Sequence, residues 1–168
     1  SPIAAGDSMM NVVKHIPGVK HAERFAYKQG VLKTDNDFLG VMFEGLGQEF
    51  DSTFFHQHLV AGSLPHFSDS HASGELTISQ AMAEKLRLKT GDRVFAYFID
   101  NNGVRMRRFK ITGVYQTNLS QYDNLMCLTD LYTAIKLNGW NEDQATGIAV
   151  TVNDFNKVDA VDHSFVSK

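Results

Sequence analysis

Two strand-like runs, Val94 to Ile99 and Arg105 to Tyr115, are joined by Asp100-Asn101-Asn102-Gly103. An Asn-Gly step favours the positive φ angles of a tight turn, so the segment predicts an antiparallel hairpin. A hairpin alone is marginal in water and must join a larger sheet or pack on helices. The rest of the chain supplies both. Phe25 to Leu32 and Phe38 to Phe43 predict a second hairpin about the polar turn Thr34-Asp35-Asn36-Asp37. Asp7 is positioned to cap a short helix with Met9, Met10, Val12, Val13 and Ile16 inward, ended by Pro17-Gly18. Ser52 to Leu59 reads as a helix and Gly62 to Gly74 as an irregular loop. Glu75 to Ile78 reads as a strand, and Ser79 caps a helix carrying Ala81, Met82 and Leu86. Asn124 to Leu128 is a further strand, followed by a helix from Thr129 or Asp130 to Leu137 with Asn138-Gly139 as its stop. Thr146 to Val152 is the last strand, and Asn153 caps a final helix with Phe155, Val158, Val161 and Phe165 on one face. The order lacks strict βα alternation, so the predicted class is α+β.

The chain has 168 residues, 43% of them hydrophobic, enough for one domain or two small interdependent subdomains. Sixteen basic and 19 acidic residues leave a net charge of -3, without the basic excess that phosphate-backbone binding needs, so no nucleic acid partner is expected. The longest apolar stretches are about five residues, far below the roughly 18 that cross a bilayer. Ser1 to Gly6 has neither the basic start nor the apolar run of a signal peptide. A single cysteine, Cys127, excludes an intramolecular disulfide and a cysteine-based metal site.

The chemistry-bearing residues do not assemble into a catalytic pattern. His56, His58, His66 and His71 fall close together, but lack the His-Glu-x-x-His spacing that aligns two imidazoles on one helix face. Neither a metal nor another cofactor is therefore expected. Gly62-Ser63 and Ser73-Gly74 do not complete a nucleophile elbow, and Cys127 between Met126 and Leu128 reads as a core thiol. Asp35 with Asp37, and Glu142 with Asp143, sit beside turn-forming asparagines. Gly40, Gly45 and Gly47 lack a phosphate-loop pattern and suggest a bulge or turn. Arg105, Arg107, Arg108 and Lys110 form the one basic cluster. It reads either as an exposed strand face or as a partner-binding hairpin tip comprising Asn102, Gly103, Arg105, Met106 and Arg107.

Four phrases carry a family resemblance: Ile16 to Phe25 (IPGVKHAERF), Gly45 to Gly62 (GLGQEFDSTFFHQHLVAG), Leu76 to Phe98 with its A-x-x-L-x-L-x-x-G-D core, and Phe109 to Trp140. In this order they resemble the MacB-like periplasmic core domain found in FtsX-like and lipoprotein-releasing ABC transporter permeases. The resemblance implies a discontinuous Porter-like α/β subdomain (1–43 and 113–168) and a Sabre-like mixed α+β subdomain (44–112). It implies a non-catalytic periplasmic domain of an inner-membrane protein, coupling cytoplasmic ATP hydrolysis to export or release of a lipoprotein or lipophilic substrate. Implied partners are a cytoplasmic ABC ATPase subunit, a second permease copy or paralogue, and a periplasmic carrier or lipoprotein. Asp7 would then continue from one transmembrane helix and the segment after Asp154 lead into another. One departure stands out. Lipoprotein-releasing permeases that recruit a carrier have a longer hook where this chain has only Asp100 to Val104, which speaks against carrier recruitment. The competing expectations are a stand-alone small-ligand or sensor domain using Gly62 to Gly74, and a metal-dependent hydrolase built on the histidines.

Overall fold

The computed structural model describes residues 1–101 and 103–153. Asn102 and the final helix predicted after Asn153 lie outside the described residues. In chain order the elements are β1 (Ile3–Ala4), α1 (Asp7–Lys14), β2 (Val19–Lys33), β3 (Phe38–Leu46), α2 (Thr53–Gln57), β4 (Leu59–Gly62), β5 (Glu75–Ser79), α3 (Gln80–Leu86), β6 (Arg93–Asp100), β7 (Gly103–Tyr115), α4 (Ser120–Leu125), β8 (Met126–Asp130), α5 (Leu131–Leu137), β9 (Gln144–Ala145) and β10 (Gly147–Val152). The class is α+β, as predicted.

Both predicted hairpins form. β2 pairs antiparallel with β3 from Phe25 opposite Leu46 to Lys33 opposite Phe38, and β6 pairs with β7 from Arg93 opposite Lys110 to Asp100 opposite Gly103. Two parallel pairings, β3 with β8 and β5 with β7, then join distant segments, and Thr77 opposite Leu128 links β5 to β8. β6 returns to β2 over Val31–Lys33, so the ladder β2-β3-β8-β5-β7-β6 closes on itself. Leu32, Phe43, Cys127, Ile78, Ile111 and Phe98, one from each ring strand, meet in a single buried core with Met82 and Leu86 of α3. Ser79 caps α3 by accepting a hydrogen bond from the Met82 amide, as its sequence position predicts.

β2 changes neighbours along its length. On the side away from β3, its first part pairs with β10 (Val19 to Phe25) and its last three residues pair with β6. Side chains fill the gap between: the Tyr27 amide donates to Thr146 Oγ1 at 2.9 Å, and Asn138 Nδ2 donates to the Tyr27 carbonyl at 2.9 Å. Ala5, Met10, Val13, Ala22, Ala145 and Ile148 form a separate small core over the first part of β2, beside the β1–β9 pair.

Some local expectations change. Asp7 lies in the first turn of α1 rather than capping it, and Gly6 holds the cap position. Val12 faces outward because a helix of eight residues lying on one strand buries only one stripe, here Met10 and Val13. Leu59 leaves the predicted helix for β4, where pairing with Tyr115 supplies a ladder. Asn124 and Leu125 belong to α4, and the strand begins at Met126. Gly47 does open a turn, closed by the Phe50 amide on its carbonyl. Gly40 and Gly45, however, sit in unbroken register opposite Val31 and Ala26. Gly45 is there for close approach: a Cβ would lie 2.4 Å from that of Ala134 on α5.

Candidate functional site

The β6–β7 hairpin extends past the ring. Among the described residues Phe98–Asp100 pair only with Gly103–Arg105, and Met106–Phe109 have β6 as their one strand neighbour. Alternation along a strand sends successive side chains to opposite faces. Val94, Ala96, Phe98 and Phe109 enter the core. The opposite face holds Phe95, Tyr97, Ile99, Val104 and Met106 in cross-strand register. Ile99 is 72% exposed and Val104 64%, values at which neither side chain contributes to a core. An antiparallel sheet with one wet face ordinarily carries polar residues there. This face is mostly apolar instead, with Arg108 opposite Phe95 and Lys33 between Phe95 and Phe38 as its cations, and it continues across Val31 of β2 to Phe38 of β3, 69% exposed. At Gly40, where no side chain stands, a shallow cleft of about 220 Å³ opens between Gln29, Val31, Tyr97 and Ile99.

The predicted hairpin-tip residues divide between the two faces. Met106 lies on the apolar face opposite Tyr97. Arg105 is on the other, where Nη2 donates to Asp100 Oδ2 at 2.8 Å and to the Leu137 carbonyl at the C-terminus of α5, bracing the arm. Arg107 donates to the Met106 carbonyl and is exposed. Gly103 takes φ +108° at the turn, as the Asn-Gly step predicts, and Asn102 is outside the described residues. Sequence reasoning found the arm through its arginines and missed Phe95, Tyr97, Ile99 and Val104. The signal was present in the unbroken apolar run Val94 to Ile99, which leaves no polar face.

A second feature lies at the first part of β2. Arg24 is 6% exposed, and its guanidinium donates to both Glu49 carboxylate oxygens, at 3.0 and 2.9 Å, and to Asp69 Oδ2 at 2.8 Å. The Arg24 amide also donates to Glu49 Oε2 at 2.8 Å. Burial by itself would push the Glu49 carboxyl up, but the hydrogen bonds and charge of Arg24 outweigh it and hold it below the usual range. This cluster ties β2 to the 47–50 turn and the 62–74 loop. The loop is anchored again by Ser73, whose amide and hydroxyl both donate to Asp130 Oδ1.

The histidines disperse. His56 and His58 bond to carbonyls of their own helix, His66 meets Glu75 at 2.7 Å and His71 meets Ser70 at 2.8 Å. Among the described residues no group of three or more His, Cys, Asp or Glu side chains could hold a metal ion. Cys127 is fully buried, and burial pushes its thiol up, away from nucleophilic use. Asp35 and Asp37 flank the β2–β3 turn. No helix among the described residues is long and apolar enough to cross a membrane.

Among the described residues Glu44 is the one carboxylate held above its ordinary range: burial raises it, the Tyr122 hydroxyl donated to it at 2.7 Å lowers it, and Glu23 raises it further. A raised carboxyl costs stability once ionised, and the cost disappears below the unfolded value of about 4.3. Glu44→Gln is therefore expected to raise the melting temperature at pH 7 by about 2–4 °C. The advantage should fade as the pH falls toward 4, in melts followed by circular dichroism; a gain that did not change with pH would refute the burial account.

The sequence profile of MacB-like periplasmic core domains matches residues 3–167. The fold resembles the extracellular domain of YknZ, a noncanonic ABC-type transporter from Gram-positive bacteria, at 14% identity and TM-score 0.67, covering 95% of this chain and 78% of that one. It also resembles the periplasmic region of MacB from Actinobacillus actinomycetemcomitans, at 14% identity and TM-score 0.63 over 96% and 73%. A permease-protein domain from Porphyromonas gingivalis gives 20% identity and TM-score 0.53 over 98% and 68%. At these identities the likeness shows the shared fold. No curated protein matches the chain.

Proposed function

Because the chain belongs to the MacB-like periplasmic core domain family, we propose that it is the non-catalytic coupling module of an ABC transporter permease. In this reading a cytoplasmic ABC ATPase subunit, acting through the membrane segments of the permease, moves this domain to export or release a lipoprotein or other lipophilic substrate. A second permease copy or paralogue completes the transporter. The Porter-like part, 1–43 with 113–168, takes up the motion and the Sabre-like part, 44–112, presents it to the cargo or its carrier.

The observation that carries the reading is the apolar outward face of the hairpin arm, built on the same strand, β2, that holds the terminal layer of β1, α1, β9 and β10. A mostly apolar exposed face that gathers Phe38, Phe95, Ile99, Val104 and Met106 on neighbouring strands supports an interaction surface. Its chemistry suits a lipophilic or apolar-faced cargo. The short turn at Asp100–Gly103 means that contact is made by the flat of the hairpin, since no long hook is present to do it.

The test is Ile99→Asp with Met106→Asp in the full-length permease assembled with its ATPase. Both positions are exposed, so the isolated domain should keep its stability within about 0.5 kcal/mol. Basal ATP hydrolysis should persist, while release of lipoprotein from membrane vesicles falls by about tenfold or more, the equivalent of about 1.4 kcal/mol. Undiminished release by a stably folded double variant would refute the assignment.

A further inference from the structure

Between α5 and the protruding half of β7 lies a second cleft, of about 150 Å³, separate from the apolar face. Phe109 and Leu137, both members of the core, supply its apolar lining together with Ala72. Arg107 contributes from β7 and Lys136 from α5. Arg107 makes no ion pair among the described residues, and its Nη1 is bonded to the carbonyl of its own neighbour Met106 at 3.0 Å. This contrasts with Arg24 and Arg105, whose guanidinium groups each meet a carboxylate at 2.8 Å. Lys136 stands 5.3 Å from the Tyr132 ring centroid and, among the described residues, pairs only with the exposed Glu142, at 3.8 Å. The Thr133 hydroxyl, on a residue that also lines the cleft, is buried without a hydrogen-bond partner. The local charge is unusual for this chain. Five of its 16 basic residues but only one of its 19 acidic residues fall between 93 and 110.

An arginine without a carboxylate partner and a lysine held only by a long, exposed ion pair, beside an apolar hollow, favour a ligand that brings both an anion and an apolar body. An apolar cavity of about 150 Å³ accepts a group the size of one benzene ring. We infer that this cleft binds a compact amphiphilic anion, a ring-sized or short branched apolar body bearing one carboxylate or phosphate, held by Arg107 and Lys136. The inference stands on these residues alone and does not depend on the apolar face of the hairpin.

The test uses the 168-residue chain, with benzoate as probe and benzamide as its neutral isostere, followed by amide chemical shifts and titration calorimetry. Benzoate should perturb Gly74, Arg107 to Phe109 and Tyr132 to Leu137 saturably, and added salt should weaken it. Benzamide should bind about tenfold more weakly or worse. Arg107→Gln with Lys136→Gln, both exposed positions, should lose benzoate affinity to a similar extent at an unchanged melting temperature. Equal affinity for the two probes, shifts confined to other surfaces, or a double variant that still binds benzoate would each overturn the proposal. Phosphatidylglycerol vesicles, set against phosphatidylcholine ones, separate the sources of this chemistry. Sedimentation that requires Arg107 and Lys136 identifies a lipid headgroup, and benzoate binding without it identifies a free anion.

Discussion

Arg24→Met should lower the unfolding free energy by about 3–5 kcal/mol, because it strands buried acidic partners rather than merely deleting a contact. Glu49 loses both guanidinium bonds while its side chain stays 12% exposed, and Asp69 loses its partner at 23%. At these exposures water replaces only part of what the arginine supplied. For a domain of this size the melting temperature should fall by about 10 °C. The control is Arg24→Met with Glu49→Met, which removes the stranded charge and should recover much of the loss, since exchanging a whole buried pair for apolar groups is often close to neutral. The wild type should also lose stability in acid. The Glu49 carboxyl is held low in the fold, so its contribution is complete above the unfolded value of about 4.3 and disappears as the pH falls through the folded one. A single variant costing under about 1 kcal/mol would mean that the cluster is solvated in solution and worth no more than a surface pair.

The second large effect is steric. Gly45→Ala should destabilise by about 3 kcal/mol, at the upper end of what overpacking costs. The added carbon would lie 2.4 Å from the Ala134 Cβ and 2.8 Å from the Asp130 carbonyl oxygen. Neither can swing aside as a long side chain would. α5 is capped by Asp130, whose carboxylate accepts from the Thr133 amide at 2.7 Å and is also held by Ser73, so the helix start is fixed. Ala134→Gly on that background should return only part of the loss, because the Asp130 carbonyl contact persists and a helical glycine itself costs about 1 kcal/mol. Chemical denaturation of the three variants resolves these differences.

Local chemistry made much of this legible from sequence. The Asn-Gly turn, the Thr34–Asp37 turn, and caps at Ser79 and Asp130 are short-range signals, and the structure has all four. The sheet order was not readable. β3 lies beside β8, and β5 beside β7, by parallel pairings whose register is set by packing of Phe43, Cys127 and Ile111 rather than by any turn. Arg24 gave no warning either, because its acidic partners lie 25 and 45 residues away and a lone arginine in a strand reads as exposed. The arm was legible in part. Its arginines drew attention to the right hairpin, but the exposed face is made by the apolar residues between them, and those look like core until the partner strand shows which side is already filled.

The gap beside β2 bears on how the domain can deform. From Ala26 to Gly30 the strand is laddered to β3 on one side only, and the other side is stitched by Thr146 and Asn138 where a strand would otherwise lie. Two side-chain bonds yield to torsion more readily than a ladder does. The first part of β2 can therefore twist against the last with every rung to β10, β3 and β6 intact. The middle of the longest strand is thus a compliant point between the terminal layer and the ring, held there by its β3 ladder and the packing of Ala26 on α5, and a turn there needs no linker.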